Sequence, residues 1–164
     1  MLKKEKFVQE IERKFLVGIL PKNLRSYPSK KLVAGYFKNK KGQNVRIRKE
    51  GKRYFKVKKI GNGLVRDIGS GDKEITKKDF KTLWPKTKGQ RLSKVRYYIR
   101  HRKFIIELDK YDDFKNFYTV EVEFKTVTEA RKFVPPRWFG QEVTEDRRYA
   151  NRSLAVNGIP KMKS

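Results

Sequence analysis

Charged and apolar residues alternate one for one through several short stretches of this chain. Glu10 and Glu12 flank Ile11; Arg46 and Arg48 interleave with Val45 and Ile47; Lys56 and Lys58 follow Phe55 and Val57; Lys94 and Arg96 flank Val95. Glu107 and Asp109 alternate with Ile106 and Leu108, Glu121 and Glu123 with Val120, Val122 and Phe124, and Asp72 and Glu74 share the spacing. A period of two sends neighbours to opposite faces, so each of these seven segments reads as a strand with a charged face. Such strands suit an antiparallel sheet with a solvated face, or a closed barrel with its charged face inward. Alternation alone leaves both open.

Helical signals fall between the strands. Thr76-Lys-Lys-Asp79 has capping-box spacing, and Phe80, Leu83 and Trp84 share a face before Pro85. Thr128 to Val134 predicts a short second helix, stopped by Pro135-Pro136. Thr144-Glu145-Asp146 puts acids at the start of a third, with Tyr149, Leu154 and Val156 in partial period and Gly158 and Pro160 closing it. Strands with a few helices make the expected class α+β. A barrel charged inside would need those helices to cover its apolar exterior.

Composition narrows the chemistry. The 164 residues carry 44 Lys and Arg against 18 Asp and Glu, a net charge of +26, with 37% hydrophobic residues to fold on. The excess is spread along the chain and would attract polyanions of any kind. The absence of cysteine excludes disulfides, zinc knuckles and thiolate nucleophiles, and the single histidine, His101 in a basic run, reads as a loop residue. The longest apolar run, Phe15 to Leu20, is far short of the ~20 residues of a membrane span. No signal-type apolar core follows Lys6, so the expectation is a cytoplasmic protein that meets no membrane. Lys3, Lys4 and Lys6 read as a solvated N-terminus. Gly61-Asn-Gly63 and Gly69-Ser-Gly71 match no phosphate-loop spacing and fit hairpin turns.

Eight of the acids fall into i, i+2 pairs. Convergent carboxylates without His or Cys suit a hard divalent cation, Mg²⁺ or Mn²⁺, and facing Arg and Lys pairs suit phosphate oxygens. Together they fit metal-assisted cleavage of a phosphoanhydride. The charge also fits a different class, a non-catalytic binder of RNA or long polyphosphate, or non-specific polyanion binding by the outer surface.

Ordered motifs add a family likeness. Glu10-Ile-Glu12-Arg-Lys14 is an ExExK signature, followed by Val45-Arg-Ile-Arg48, Lys94-Val-Arg96-Tyr, Glu107-Leu-Asp109 and Glu121-Val-Glu123-Phe. The stretch from Pro135 through Trp138, Glu142, Glu145 and Tyr149 to Asn151 completes the set. Over roughly residues 8 to 156 it resembles the triphosphate tunnel metalloenzymes, the CYTH superfamily, and within them the small bacterial inorganic triphosphatases. The resemblance implies one domain over residues 1–164 with its core at about 8–156, a closed eight-stranded antiparallel β-barrel with a charged lumen and a few covering helices. It implies hydrolysis of a triphosphate, tripolyphosphate before the nucleoside triphosphatase, thiamine triphosphatase or adenylate cyclase alternatives of the same fold. Glu10, Glu12, Glu121 and Glu123 would hold Mg²⁺ or Mn²⁺, and Lys14, Arg46, Arg48, Lys56, Lys58 and Arg96 the phosphates. Glu10, Glu12, Lys94, Glu107 and Asp109 would form the catalytic set, Lys94 as a proton relay.

Two departures from the family pattern stand out. Its Thr-x-Lys strand appears as Phe55-Lys56-Val57-Lys58-Lys59, where counting from Arg48 selects Lys59. The need for an apolar exterior instead sends Lys56 and Lys58 inward, which is the preferred expectation. Its Glu-x-Glu appears only as Asp72-Lys-Glu74 behind a glycine-rich insertion.

Overall fold

The computed structural model describes residues 8–38, 43–61, 63–68 and 71–161. Lys3, Lys4 and Lys6, and Asn62, Gly69 and Ser70 of the glycine-rich turns, lie outside the described residues. The strands are β1 (Val8–Val17), β2 (Ser29–Tyr36), β3 (Gln43–Glu50), β4 (Arg53–Ile60), β5 (Val65–Ile68), β6 (Lys73–Ile75), β7 (Arg91–His101), β8 (Phe104–Tyr111), β9 (Tyr118–Phe124) and β10 (Phe139–Glu142). The helices are α1 (Lys77–Leu83), α2 (Val127–Lys132) and α3 (Asn151–Asn157).

The antiparallel order β1-β5-β4-β3-β2-β7-β8-β9 closes on itself because β9 pairs with β1. Eight strands therefore form a barrel, with β10 added to the C-terminal half of β1 and β6 to the N-terminal half of β4. The inward-charged option is the one realised. Register makes it so: Glu12 lies opposite Glu123 and Lys14 opposite Glu121, while Phe15 pairs with Val120 on the other face.

The main apolar core consequently lies outside one wall of the barrel. Phe15, Ile106, Leu108, Val120, Val122 and Phe124 are buried beneath Ala130 of α2, Phe133 and Phe139. Thr126, two residues earlier than expected, caps α2 by accepting from Glu129 N. Thr76 caps α1 as its spacing predicts, accepting from Asp79 N at 3.0 Å, and Phe80 packs on Tyr54 of β4 at 4.9 Å.

The third expected helix starts later than its acids suggest. Thr144 and Glu145 are engaged with β1 and Leu64, and Arg147–Tyr149 form a single 3₁₀ turn capped by Asp146, so that α3 begins only at Asn151. Thr144 Oγ1 accepts from Lys14 N, Glu145 accepts from Leu64 N, and the Asp146 carboxylate accepts from Arg148 N. α3 then lies across one end of the barrel, with Leu154 buried against Leu92 and Tyr111 and Gly158, at φ 74°, ending the helix. His101 ends β7 edge-on to the Phe133 ring rather than lying in a loop. Among the described residues, no helix is long and apolar enough to cross a membrane.

Arg13 shows how a cation is accommodated on this outer face. Its guanidinium makes two 2.8 Å bonds to Glu142 and one 2.9 Å bond to each of the carbonyls of Ala130 and Phe133, which end α2. Arg13→Ala should cost about 2–3 kcal/mol of stability, because the charge-assisted bonds vanish and two carbonyls lose their donor. Urea unfolding measures it; a loss under about 0.5 kcal/mol would contradict this docking role.

Candidate active site in the barrel lumen

The lumen encloses a cavity of about 270 Å³. Each barrel strand brings its inward residues: Glu10, Glu12 and Lys14 from β1, Arg46 and Arg48 from β3, Lys59 from β4, Arg66 from β5, Lys94 and Arg96 from β7, Glu107 from β8, and Glu121 and Glu123 from β9. Leu32, Ala34 and Tyr36 of β2 supply an apolar strip, and Arg147, Asn151 and Arg152 reach in from the C-terminal segment. Among the described residues the lining holds nine cations and eight carboxylates. The lining is thus close to neutral, and the excess of +26 lies elsewhere in the chain.

At one end of the lumen the carboxylates of Glu10, Glu12 and Glu123 bring oxygens within 4.8 Å of one another. An all-oxygen cluster of this kind fits Mg²⁺ or Mn²⁺ and offers no soft ligand for zinc or copper. Cations neutralise it: Arg66 Nη2 donates to Glu10 at 2.8 Å and also to Glu12, and Lys59 Nζ donates to Glu10 at 3.0 Å. Burial pushes the Glu10 carboxyl up, but Lys59 and Arg66 outweigh it and hold it below the usual range. Lys59 is lowered by its own burial and by Arg46, against the pull of Glu10. Burial and Glu10 raise Glu123.

A second group centres on Asp109, fully buried behind the lining. It accepts from Lys94 Nζ at 2.5 Å and from Arg96 at 2.7 and 2.8 Å. Arg96 also pairs with Glu107 at 2.5 Å and Glu121 at 3.2 Å, and Lys14 with Glu121 at 3.3 Å. Burial raises Glu121, yet Lys14 and Arg96 overcome it and hold it well below the usual carboxylate range. Glu107 goes the other way. Burial, reinforced by Glu121, Asp109 and Glu123, pushes it up to about 7 despite Arg96.

Several sequence expectations need correction. Lys56 and Lys58 point outward and line nothing in the lumen. β4 pairs with β3 without a break, so Arg48 shares a face with Phe55, Arg46 with Val57 and Asn44 with Lys59. The interior here is partly apolar, with the Arg48 guanidinium over the Phe55 ring at 5.3 Å. The expectation of an apolar exterior does not hold at this wall, where Lys56 is exposed and its charge costs little. Glu121 is tied to Lys14 and Arg96 and lies outside the three-carboxylate cluster. Asp109 lies behind Lys94 and Arg96 and does not line the cavity, so it positions those cations. Asp72 accepts from Arg48 at 2.6 Å at the rim, and Glu74 is exposed and pairs with Arg53.

Arg66, Glu50, Arg147, Asn151 and Arg152 were not anticipated. Arg66 sits in a four-residue strand too short to establish a period, and the last three lie in a segment whose partial apolar period reads as a helix covering the barrel rather than lining it.

No protein-family model matches the chain. Its sequence is 39% identical over 152 residues to the inorganic triphosphatase of Nitrosomonas europaea, covering 90% of this chain and 97% of that protein. A crystal structure of an inorganic triphosphatase superposes with a TM-score of 0.68 at 35% identity, over 93% of this chain and 98% of that one. A protein of Pyrococcus horikoshii shares the fold alone, with a TM-score of 0.55 at 16% identity over 75% of this chain and 84% of that one. The chain belongs to the inorganic triphosphatase family, built on the triphosphate tunnel fold, and is accordingly a hydrolase.

The raised Glu107 gives a signed pH dependence. Unfolded, a glutamate releases its proton near 4.5; folded, Glu107 keeps it to about 7. Between those values the folded state holds the extra proton, so stability falls as pH rises, by at most about 1.4 kcal/mol per pH unit. Metal-free melting temperatures from pH 5 to 7.5 should decline, and Glu107→Gln should flatten the decline; equal slopes would contradict the shift. The register gives a second expectation: Lys59→Met should lower phosphate release more than tenfold, while Lys56→Met and Lys58→Met stay within about twofold, since only Lys59 meets the lumen charges. A large loss in Lys58→Met would argue against the register.

Proposed function

We propose that this chain hydrolyses inorganic tripolyphosphate with the help of a divalent cation, as a member of the small bacterial branch of its family. The observation that carries the reading is the carboxylate cluster of Glu10, Glu12 and Glu123 facing a wall of cations inside a closed barrel. When bound there, Mg²⁺ or Mn²⁺ would supply Lewis-acid stabilisation of phosphate oxygens and a more acidic water. Arg46, Arg48, Lys94 and Arg96 hold the phosphate oxygens in line, with Lys14 below and Lys59 and Arg66 moving from carboxylate to phosphate when the chain enters. Asp109 fixes Lys94 and Arg96 for that task. Glu107, with its carboxyl near 7, is poised to take the proton of the attacking water through its Oε2 oxygen, which Arg96 holds at 2.5 Å. Proton delivery by Lys94 to the leaving phosphate completes the assignment.

Polarity favours an inorganic chain over a nucleotide. The lining, nine cations and eight carboxylates with an apolar strip on β2, offers an organic base little to stack on and a phosphate chain many partners. The rival view of a passive polyanion binder leaves the clustered carboxylates without a purpose, since they repel phosphate in the absence of a metal.

Phosphate release from tripolyphosphate, pyrophosphate, ATP and thiamine triphosphate, with Mg²⁺ or Mn²⁺ and with EDTA, tests the reading. Tripolyphosphate should be the best substrate and EDTA should abolish its turnover; equal turnover in chelator would sink it. Glu12→Gln should lower metal-dependent turnover by at least about a hundredfold and remove the rise in melting temperature that metal gives the wild type. Without metal it should bring no stabilisation, because Arg66 already offsets the repulsion between Glu10 and Glu12. Wild-type turnover at limiting metal in this variant would contradict the assignment of Glu12.

A further inference from the structure

Three segments meet at the apolar core outside the barrel: residues 18–28 between β1 and β2, residues 99–106 around the β7–β8 turn, and residues 131–138 between α2 and β10. Ile99, Ile106 and Phe133 are buried in that core, and Leu24, Tyr27, Phe104 and Trp138 pack against it. The segments are also tied to one another. The Trp138 carbonyl accepts from Gly18 N at 3.0 Å and from Ile19 N at 3.1 Å, Pro28 accepts from Tyr98 N at 2.9 Å, and the Phe104 and Phe133 rings meet edge to face at 5.3 Å. Their outer sides therefore form one wall of the molecule.

The three segments hold eight Lys and Arg and no Asp or Glu. All eight cations are exposed, and only Lys103, on Glu129, has a carboxylate partner among the described residues. Aliphatic side chains stand in water beside them. Val134, 77% exposed, and Ile19, 69% exposed, are the most exposed large apolar residues among those described, and Leu20 and Ile105 add to them. Arg102, at the hairpin turn, has φ 54°, a left-handed conformation that suits Gly or Asn better, so a cation is held there against local preference. A groove next to it is lined by His101, Arg102, Phe104, Lys132, Phe133 and Val134. Glu129, the one acid lining the groove, is neutralised by Lys103.

The two halves of this pattern point to one kind of partner. A nucleic-acid backbone would use the cations but leave Ile19 and Val134 in water. An anionic lipid surface uses both, because headgroup phosphates receive Lys and Arg while aliphatic tips and a half-buried Trp enter the interfacial layer. We propose that this wall docks the barrel onto an anionic lipid surface, with Ile19 and Val134 inserted and Arg102, Lys132 and the neighbouring cations on the headgroups. Docking through the side of the barrel leaves the lumen carboxylates uninvolved. It is peripheral and needs no spanning segment, and it departs from the expectation of a chain that meets no membrane. The substrate reading above plays no part in it.

The test must separate this wall from the general charge of +26, which draws the protein toward any anionic vesicle. Sedimentation of the full-length protein with vesicles of phosphatidylcholine alone, or mixed with phosphatidylglycerol, is measured at about 0.15 M salt. The wild type should bind the mixed vesicles and not the neutral ones. Ile19→Ser combined with Val134→Ser, which changes no charge, should lower partition by about tenfold or more, whereas Val156→Ser, at an exposed aliphatic on α3, stays within about twofold. Arg102→Gln with Lys132→Gln should lower it about tenfold, and Lys77→Gln with Lys78→Gln, the same charge change on α1, by less than about threefold. Phosphate release by the wall variants without vesicles should stay at the wild-type level. Wild-type partition in the aliphatic variant, or equal losses in the two charge variants, would overturn the proposal. Binding of single-stranded RNA without binding of the mixed vesicles would also overturn it and assign the wall to nucleic acid. If the double aliphatic variant does not fold, Val134→Ser alone is carried through, and a loss below about threefold overturns the proposal.

Discussion

Charge enclosed by a closed barrel must be answered by opposite charge within the same few ångströms, and this compensation is the constraint on which the rest of the molecule turns. An isolated carboxylate or guanidinium at these depths would cost several kcal/mol in desolvation. The lining meets that cost by interleaving: Arg66 between Glu10 and Glu12, Arg96 among Glu107, Asp109 and Glu121, Lys14 against Glu121. The network leaves the carboxylates distinguishable. Glu121, with cations on several sides, stays firmly ionised, whereas Glu107, with three acids for neighbours and one arginine, holds its proton to about neutral pH.

Much of this was legible from the sequence because the barrel encodes its inside and outside with a period of two. The charged pairs on β1, β3, β7, β8 and β9 marked the strands, while it took the family resemblance to turn their charged face inward. Where that code is silent or ambiguous, the reading failed. β2 turns Leu32, Ala34 and Tyr36 inward and so carries no charged pair, and β5 is too short to show one. β4 offers lysines on both faces, and only its pairing with β3 decides that Lys59, not Lys58, enters the lumen. Lys94 and Asp109 were found as a pair of motifs, but that Asp109 lies behind the lysine rather than beside it depends on burial, which spacing does not record. The C-terminal arginines belong to a segment whose shape is fixed by contacts with β1 and Leu64, far away in the chain.

The near-neutral lining also changes the meaning of the overall charge. Nine lining cations are offset by eight lining acids, so the field that an approaching phosphate chain experiences at long range comes from the rest of the surface. Exposed lysines such as Lys56 contribute to that field without touching the substrate. Encounter is therefore expected to depend on ionic strength more than binding inside the lumen does, since salt screens the exterior and barely reaches the interior pairs.

The closure between β1 and β9 joins the two ends of the barrel sequence, setting Glu12 directly across from Glu123. During synthesis the first of these strands must wait for nearly all the others before it finds that partner. A topology dominated by such distant pairings folds slowly, and its last seam is a long-range one. The carboxylate cluster straddles that seam, so the ligand set does not exist until β1 and β9 have paired. A metal ion held there would favour chains in which β1 and β9 have met.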